Sequence, residues 1–225
     1  MKQEVKPPYT SYNPYFLYPF VLWVLIGGFA LVFFSRQNLF AVVNTNNTDF
    51  LDVTMVWITK MGEGVFGVFI LILLLGLKSF RNWWYFSAAA FCNIIPALLT
   101  QGVKSAVNAP RPLNYFKEVT WLHHLPEWDR LMERSFPSGH TCAAFSLFCF
   151  LAFILVPRYK WAGFVFFVFA LAVGYSRIYL AQHFFLDVYV GSVIGVILPI
   201  IVVALMRRHA HRFYTKKKFQ KSAAS

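Results

Sequence analysis

Three short stretches of this 225-residue chain hold the side chains best suited to polar chemistry, and each borders an apolar run. The first, Lys104 to Pro112, contributes Lys104 and Arg111. The second is Phe136-Pro137-Ser138-Gly139-His140-Thr141, and the third runs from Ser176 to Asp187 with Arg177, His183 and Asp187. An ionisable group left in hydrocarbon costs on the order of 2.5 to 3.5 kcal/mol even on the lenient insertion scale. Residues bracketed in this way therefore belong at a membrane surface or around a functional cavity.

Lys104, Arg111 and Arg177 supply three fixed positive charges, two of them planar forks matched to oxygen anions. Ser138 can cap the helix expected to follow it, Gly139 lets backbone approach closely, and the free amides at the positive helix end favour an anion. A pocket of this kind suits phosphate. His183 lies four residues before Asp187, so on a helix the carboxylate would rest against the imidazole. An Asp on one ring nitrogen leaves the other as a lone-pair nucleophile of defined tautomer. The expected chemistry is in-line attack of His183 on phosphorus, with Lys104, Arg111, Ser138, the Gly139 amide and Arg177 on the equatorial oxygens. His140 would protonate the leaving group and then activate water. No cofactor is required. Two histidines and an Asp could instead hold a metal, but three neighbouring cations oppose a divalent ion.

The elements that must position these groups are membrane helices. The chain is 58% hydrophobic and 13% charged, against roughly a quarter charged in ordinary soluble domains. That predicts an all-α polytopic membrane protein, one domain over residues 1–225, with the chemical signature at 104–187 and a basic tail at 207–225. Six spans are expected: Tyr15–Ser35, Gly64–Leu77, Asn82–Val103, Thr141–Val156, Trp161–Ser176 and Val188–Met206. The first is read as a retained helix, since no small-residue cleavage site follows it. Asp49–Lys60 repeats Phe50, Leu51, Val53, Val56 and Trp57 at helical spacing among polar residues, as an interfacial helix does.

With six spans, thirteen Lys or Arg residues share the side of both termini and eight lie opposite. The positive-inside rule then makes the termini cytoplasmic and turns all three chemical stretches outward, toward the periplasm or exterior of what is expected to be a bacterial inner membrane. Seven of the basic residues follow Met206, which fits a juxtamembrane anchor on the bilayer rather than nucleic-acid binding. Cys92, Cys142 and Cys149 read as buried apolar residues. His123 and His124 read as exposed loop residues, and Glu63 and Asn93 as polar groups serving helix packing. The segment from Lys104 to Pro137, with Trp121, Trp128, His123, His124 and Arg130, is expected to lid the pocket; Trp121 and Trp128 also suit an interfacial belt.

Lys104-x6-Arg111-Pro112, Pro137-Ser138-Gly139-His140 and Ser176-Arg177-x5-His183-x3-Asp187 resemble the three-part signature of the type-2 phosphatidic acid phosphatase superfamily. That superfamily also includes vanadium-dependent haloperoxidases and glucose-6-phosphatase. The match holds in residue type, order and spacing, over a little more than a third of the chain. The resemblance implies a six-helix membrane fold with an outward-facing site, metal-free hydrolysis of a phosphomonoester or diphosphate, and a phosphohistidine at His183. The expected partner is a lipid phosphate: undecaprenyl diphosphate, a lipid A phosphate, phosphatidylglycerophosphate or phosphatidic acid. The rival class is a non-catalytic membrane scaffold or anion-binding protein, which would not need an imidazole at position 183. The soluble haloperoxidases fit the apolar composition poorly.

Overall fold

The computed structural model describes residues 12–77, 80, 83–126, 131–155 and 159–209. Among the described residues nine helices and no strand occur: α1 Pro14–Phe33, α2 Arg36–Asn44, α3 Asp49–Lys60, α4 Gly64–Gly76, α5 Trp83–Val107, α6 Pro112–Tyr115, α7 Gly139–Ile154, α8 Ala162–Tyr179 and α9 Phe185–Arg208. Several begin at side-chain caps. Asn13, Ser35, Thr48 and Ser138 each accept a hydrogen bond from an otherwise orphaned amide of the first turn.

At the centre stands α7. Thirteen of its 16 residues are buried, which leaves no polar stripe and makes the helix apolar all round. It packs chiefly against α9 and α8, then α5. Gly191 and Gly195 set the α9 approach, because a Cβ on either would lie 2.6 Å from the Ser138 or Cys142 carbonyl oxygen of the facing segment. Small residues four apart permit this backbone contact between helices. Helix α1 lies against α8 and α9, tied by Trp23 Nε1–H to Ser192 Oγ (2.9 Å) and Tyr189 O–H to the Val24 carbonyl (3.1 Å).

By length and composition α1, α5 with its α6 extension, α8 and α9 could each cross a membrane, and α3 with α4, bent by 58°, passes as a fifth span. Val21, Leu25, Phe29 and Val32 of α1, Val65, Val68 and Ile72 of α4, and Leu98 of α5 are each more than half exposed. Apolar surface on this scale needs lipid as its solvent. Helix α7, with 16 residues, falls short of the roughly 20 that cross the hydrocarbon core.

The helix expected at Asp49–Lys60 forms as α3, with the bounds read from sequence. Helix α2 was not foreseen. The segment expected as a loop from Arg177 to Asp187 shrinks to five residues, Leu180–Phe184, because α8 continues through Arg177 and α9 starts before Asp187. Likewise α5 runs past Lys104 to Val107. His123 is not an exposed loop residue. Its ring nitrogen Nε2 lies 2.8 Å from Asp52 Oδ1, and its backbone is bonded at both N–H and C=O by the buried Asn44 side chain. His124 is exposed, and all three cysteines are buried and free. Trp121 packs on Phe40 and Phe116. Asn93 bonds the Ala89 carbonyl of its own helix. Trp128, Arg130, Arg158 and the basic run Arg212–Lys221 lie outside the described residues.

Candidate active site

Four helix ends carry the chemical residues to one end of the bundle. Lys104 is in the last turn of α5, Ser138, Gly139 and His140 open α7, Arg177 closes α8, and Asp187 lies in the first turn of α9, with Arg111 and His183 in the flanking connections. All eight residues singled out from sequence are thus brought together. The Ser138 N–H donates to the Asp187 carbonyl (2.9 Å), which joins the start of α7 directly to α9. The Ser138 hydroxyl caps α7, accepting from the Thr141 hydroxyl (2.8 Å) and backbone N–H (3.4 Å).

Each cation is held by a second segment. Arg111 is 5% exposed and donates from Nε to the Glu133 carbonyl (2.8 Å) and from Nη1 to the carbonyl (3.2 Å) and Oε1 (3.0 Å) of Gln182. Arg177, 3% exposed, donates from Nη1 to Thr59 Oγ1 of α3 (2.7 Å). Lys104 Nζ donates to the Arg134 carbonyl (3.1 Å). A Cβ on Gly139 would lie 3.8 Å from the Lys104 side chain, so the end of α5 and the start of α7 meet at this point. Asn108, Arg134 and Ala181 adopt φ of 44°, 58° and 53°, and all three are in the connections that carry the site. Left-handed backbone at non-glycine residues stores strain, and here it surrounds the cations and His183.

His183 is 1% exposed, and its backbone N–H donates to the Arg177 carbonyl (3.1 Å). Burial pushes the imidazole well below its usual titration range, and Arg177, Arg111 and Lys104 push it further, which favours the neutral ring. His140 is half-buried, within electrostatic reach of Arg177, His183, Lys104 and Arg111, and its backbone packs on Gly62 of the α3–α4 bend, where a Cβ would lie 2.8 Å from the His140 carbonyl oxygen.

One geometric expectation needs correction. His183 and Asp187 do not pair as successive turns of one helix, since His183 precedes α9 and Phe184 is its N-cap. The ring nitrogen Nδ1 lies 3.5 Å from Asp187 Oδ2, beyond ordinary hydrogen-bond range. That oxygen accepts instead from the Phe184 N–H (2.9 Å) and the Ser135 hydroxyl (2.5 Å). Ser135, Gln182 and Thr59 are therefore site residues missed in the sequence. Ser135 and Gln182 stand next to the motifs. Thr59 carried a weaker signal, a polar residue beside Ile58 on the apolar side of an amphipathic helix.

A bundle of apolar helices whose ends converge on guanidinium forks, a capped helix N-terminus and two histidines is suited to hold a phosphate at a membrane. The sequence pattern of the PAP2 superfamily matches residues 81–210, more than half of the chain, and the chain belongs to that superfamily. It is 29% identical over 171 residues to an undecaprenyl-diphosphatase of Sulfolobus acidocaldarius, covering 76% of this chain and 78% of that one. It is 40% identical over 82 residues to the bacitracin transport permease protein BcrC of Bacillus licheniformis, covering 35% and 38%. Among solved structures it resembles Aquifex aeolicus LpxE (TM-score 0.65, 28% identity, 77% of this chain and 98% of that one). It shares its fold with a PAP2-type phosphatidylglycerolphosphate phosphatase of Bacillus subtilis (TM-score 0.61, 21% identity, 88% and 98%).

Proposed function

We propose that this chain hydrolyses a lipid diphosphate or phosphomonoester through a phosphohistidine on His183, without a metal. The observation that carries the reading is a buried imidazole whose Nδ1 faces Ser135 and Asp187, among three cations that are each tied to a neighbouring segment, Lys104 and Arg111 to residues 133–134 and Arg177 to α3. With Nδ1 turned toward these groups, the Nε2 lone pair is the one left to attack phosphorus. As the P–N bond forms, the P–O bond to the leaving group breaks, and His140 gives its proton to the departing oxygen. His140 then takes a proton from water, the hydroxide attacks phosphorus, and the P–N bond breaks to release phosphate and neutral His183. Lys104, Arg111, Arg177, Ser138 and the Gly139 amide stabilise the equatorial oxygens throughout.

An apolar cavity of about 500 Å³ between α4, α5 and α7 supports a lipid substrate. Its lining reaches Met61 and Glu63, which flank the Gly62 packed on His140, and Ala143, one turn below. A cavity of roughly 150 Å³ holds a benzene ring, so this one accepts on the order of 20 carbons, about one chain. A cavity of this size can seat part of the hydrocarbon of any of the candidate lipids, and the preference for an isoprenoid diphosphate rests on the Sulfolobus acidocaldarius relative. Both termini are placed in the cytoplasm, with six spans and an outward site, on the charge asymmetry alone.

The test is phosphate release in detergent from undecaprenyl diphosphate, lipid A, phosphatidylglycerophosphate and phosphatidic acid, with soluble phosphate esters alongside. Turnover of the isoprenoid first among these, abolished by His183→Ala and inhibited by vanadate competing for the phosphate pocket, is the expected result. Wild-type rates in His183→Ala would overturn the mechanism and favour an anion-binding protein. Equal turnover of soluble esters would remove the case for a lipid.

A further inference from the structure

We infer that Gln182 is a positioning residue that locks the Arg111 fork to the peptide carrying His183, so that a phosphate-binding cation and the nucleophile are held as one unit. Arg111 Nη1 donates twice to this buried residue, to its backbone carbonyl (3.2 Å) and to its side-chain Oε1 (3.0 Å). Nη1 carries two hydrogens and can serve both acceptors. That carbonyl belongs to the Gln182–His183 peptide, whose N–H donates to the Arg177 carbonyl (3.1 Å). A planar unit is thus held at its oxygen by the Arg111 side chain and at its nitrogen by the Arg177 backbone. The Gln182 N–H donates to the same Arg177 carbonyl (3.0 Å), and Ala181, at φ 53°, turns the chain between them. A guanidinium has no acceptor, so the amide must present its oxygen to Arg111; its Nε2 lies on the Leu180 carbonyl of the same turn (3.5 Å). Any residue at 182 would offer the backbone carbonyl. The Oε1 bond is what glutamine adds: a second, neutral acceptor that fixes the fork without adding a negative charge beside the phosphate.

The inference rests on the proposed roles of Arg111 and His183, and the experiment separates it from them. Steady-state kinetics on undecaprenyl diphosphate in detergent and the vanadate inhibition constant are measured for Gln182→Met, Gln182→Glu, Arg111→Lys and the Gln182→Met, Arg111→Lys double variant, with His183→Ala as reference. Gln182→Met keeps the length of the side chain and removes the acceptor; it should lower kcat/KM and raise the vanadate inhibition constant, each about tenfold. In the Arg111→Lys background the same change should cost less than about threefold more, because the donor it served is gone. Gln182→Glu keeps the acceptor but sets a carboxylate near the bound anion, and should raise the vanadate constant by about tenfold or more. A residue that only supported the fold would lower the active fraction and the unfolding temperature while leaving the inhibition constant and KM unchanged, since neither depends on the amount of active enzyme. A wild-type vanadate constant in Gln182→Met, or multiplicative losses in the double variant, would overturn the inference while leaving the nucleophile in place. If Gln182→Met does not fold, Gln182→Glu decides, and a wild-type constant there refutes the inference. Full activity in His183→Ala, or no vanadate inhibition of the wild type, would instead sink the parent mechanism and this inference with it.

Discussion

Arg111 shows how much of this site is geometry rather than charge. Its guanidinium reaches Glu133 on one side and Gln182 on the other, and so fixes the segment before α7 to the connection that carries His183. A lysine keeps the charge but cannot hold two segments with one ammonium. Hydrogen bonds to charged groups contribute about 1.5 to 3 kcal/mol each, so Arg111→Lys is expected to lower kcat/KM by roughly 10- to 100-fold. Retention of wild-type kcat/KM would show that position 111 needs only a positive charge. For His183, folding moves the imidazole into a site that disfavours its charged form, so protonation favours the unfolded chain. Its contribution to stability is complete above its unfolded pKa of about 6.5 and declines as pH falls toward the depressed folded value. An NMR titration, assigned by difference from His183→Gln, should therefore show no protonation of His183 between pH 8 and 6.5. A midpoint at or above 6.5 would contradict the buried, neutral ring.

At the scale of elements, the α7–α9 contact and the α3–α8 contact align the groups of the candidate site. Gly191 faces the Ser138 carbonyl, and the atom that a new Cβ would meet is backbone that cannot rotate away. Gly191→Ala should push α9 from α7, lengthen the Ser138 to Asp187 bond, and lower stability by about 1 to 3 kcal/mol, as overpacked cores do. Gly102 of α5 has nothing within 4 Å of its added Cβ. Gly102→Ala should be neutral or stabilising by up to about 1 kcal/mol through helix propensity. Thermal unfolding of both variants in one detergent checks the pair, and equal shifts would refute the contact argument. Thr59→Val on α3 removes an acceptor of Arg177 without changing volume much, and should lower kcat/KM about tenfold. Thr54 bonds only the Phe50 carbonyl of its own helix, so Thr54→Val should have no effect. A loss confined to the Thr54 variant would place the α3 contribution elsewhere.

Over the whole molecule, the N-terminal third serves as the back wall of a site whose motifs all lie after residue 100. Asn44, fully buried at the end of α2, donates to the Tyr179 carbonyl (2.9 Å) and the His123 carbonyl (2.8 Å) and accepts from the His123 N–H (2.9 Å). Beside it, Tyr179 and His123 both contact Asp52 of α3. One side chain thus binds α2, the end of α8 and the segment after α6. Asn44→Ala leaves one buried and two part-buried backbone groups without that partner, the buried Tyr179 carbonyl at about 1 to 3 kcal/mol before relaxation and the His123 groups at less. The expected result is a marked fall in unfolding temperature, with amide exchange rising first at residues 119–126. Unchanged exchange there would mean that the segment is held by Trp121 and its aromatic neighbours instead.

The sequence by itself determined the class of the molecule and the chemical inventory of its site. Apolar runs near the length of a bilayer leave little alternative to helices, because backbone polar groups must be satisfied within each segment. Cations and histidines at the ends of those runs are too costly there without a use. Helix α3 was legible too, since its amphipathic period is a local property. Tertiary structure alone decided which neighbours tune these groups. Ser135 donates to the Asp187 oxygen that faces His183, Thr59 holds Arg177 across 118 positions, and Asn44 spans α2 to α8. Those contacts depend on how helices pack, and α7 and α9 pack as they do because Gly191 and Gly195 present no side chain at their crossing. Residue spacing along one chain carries local periodicity, but distance between distant segments is fixed only when the bundle closes.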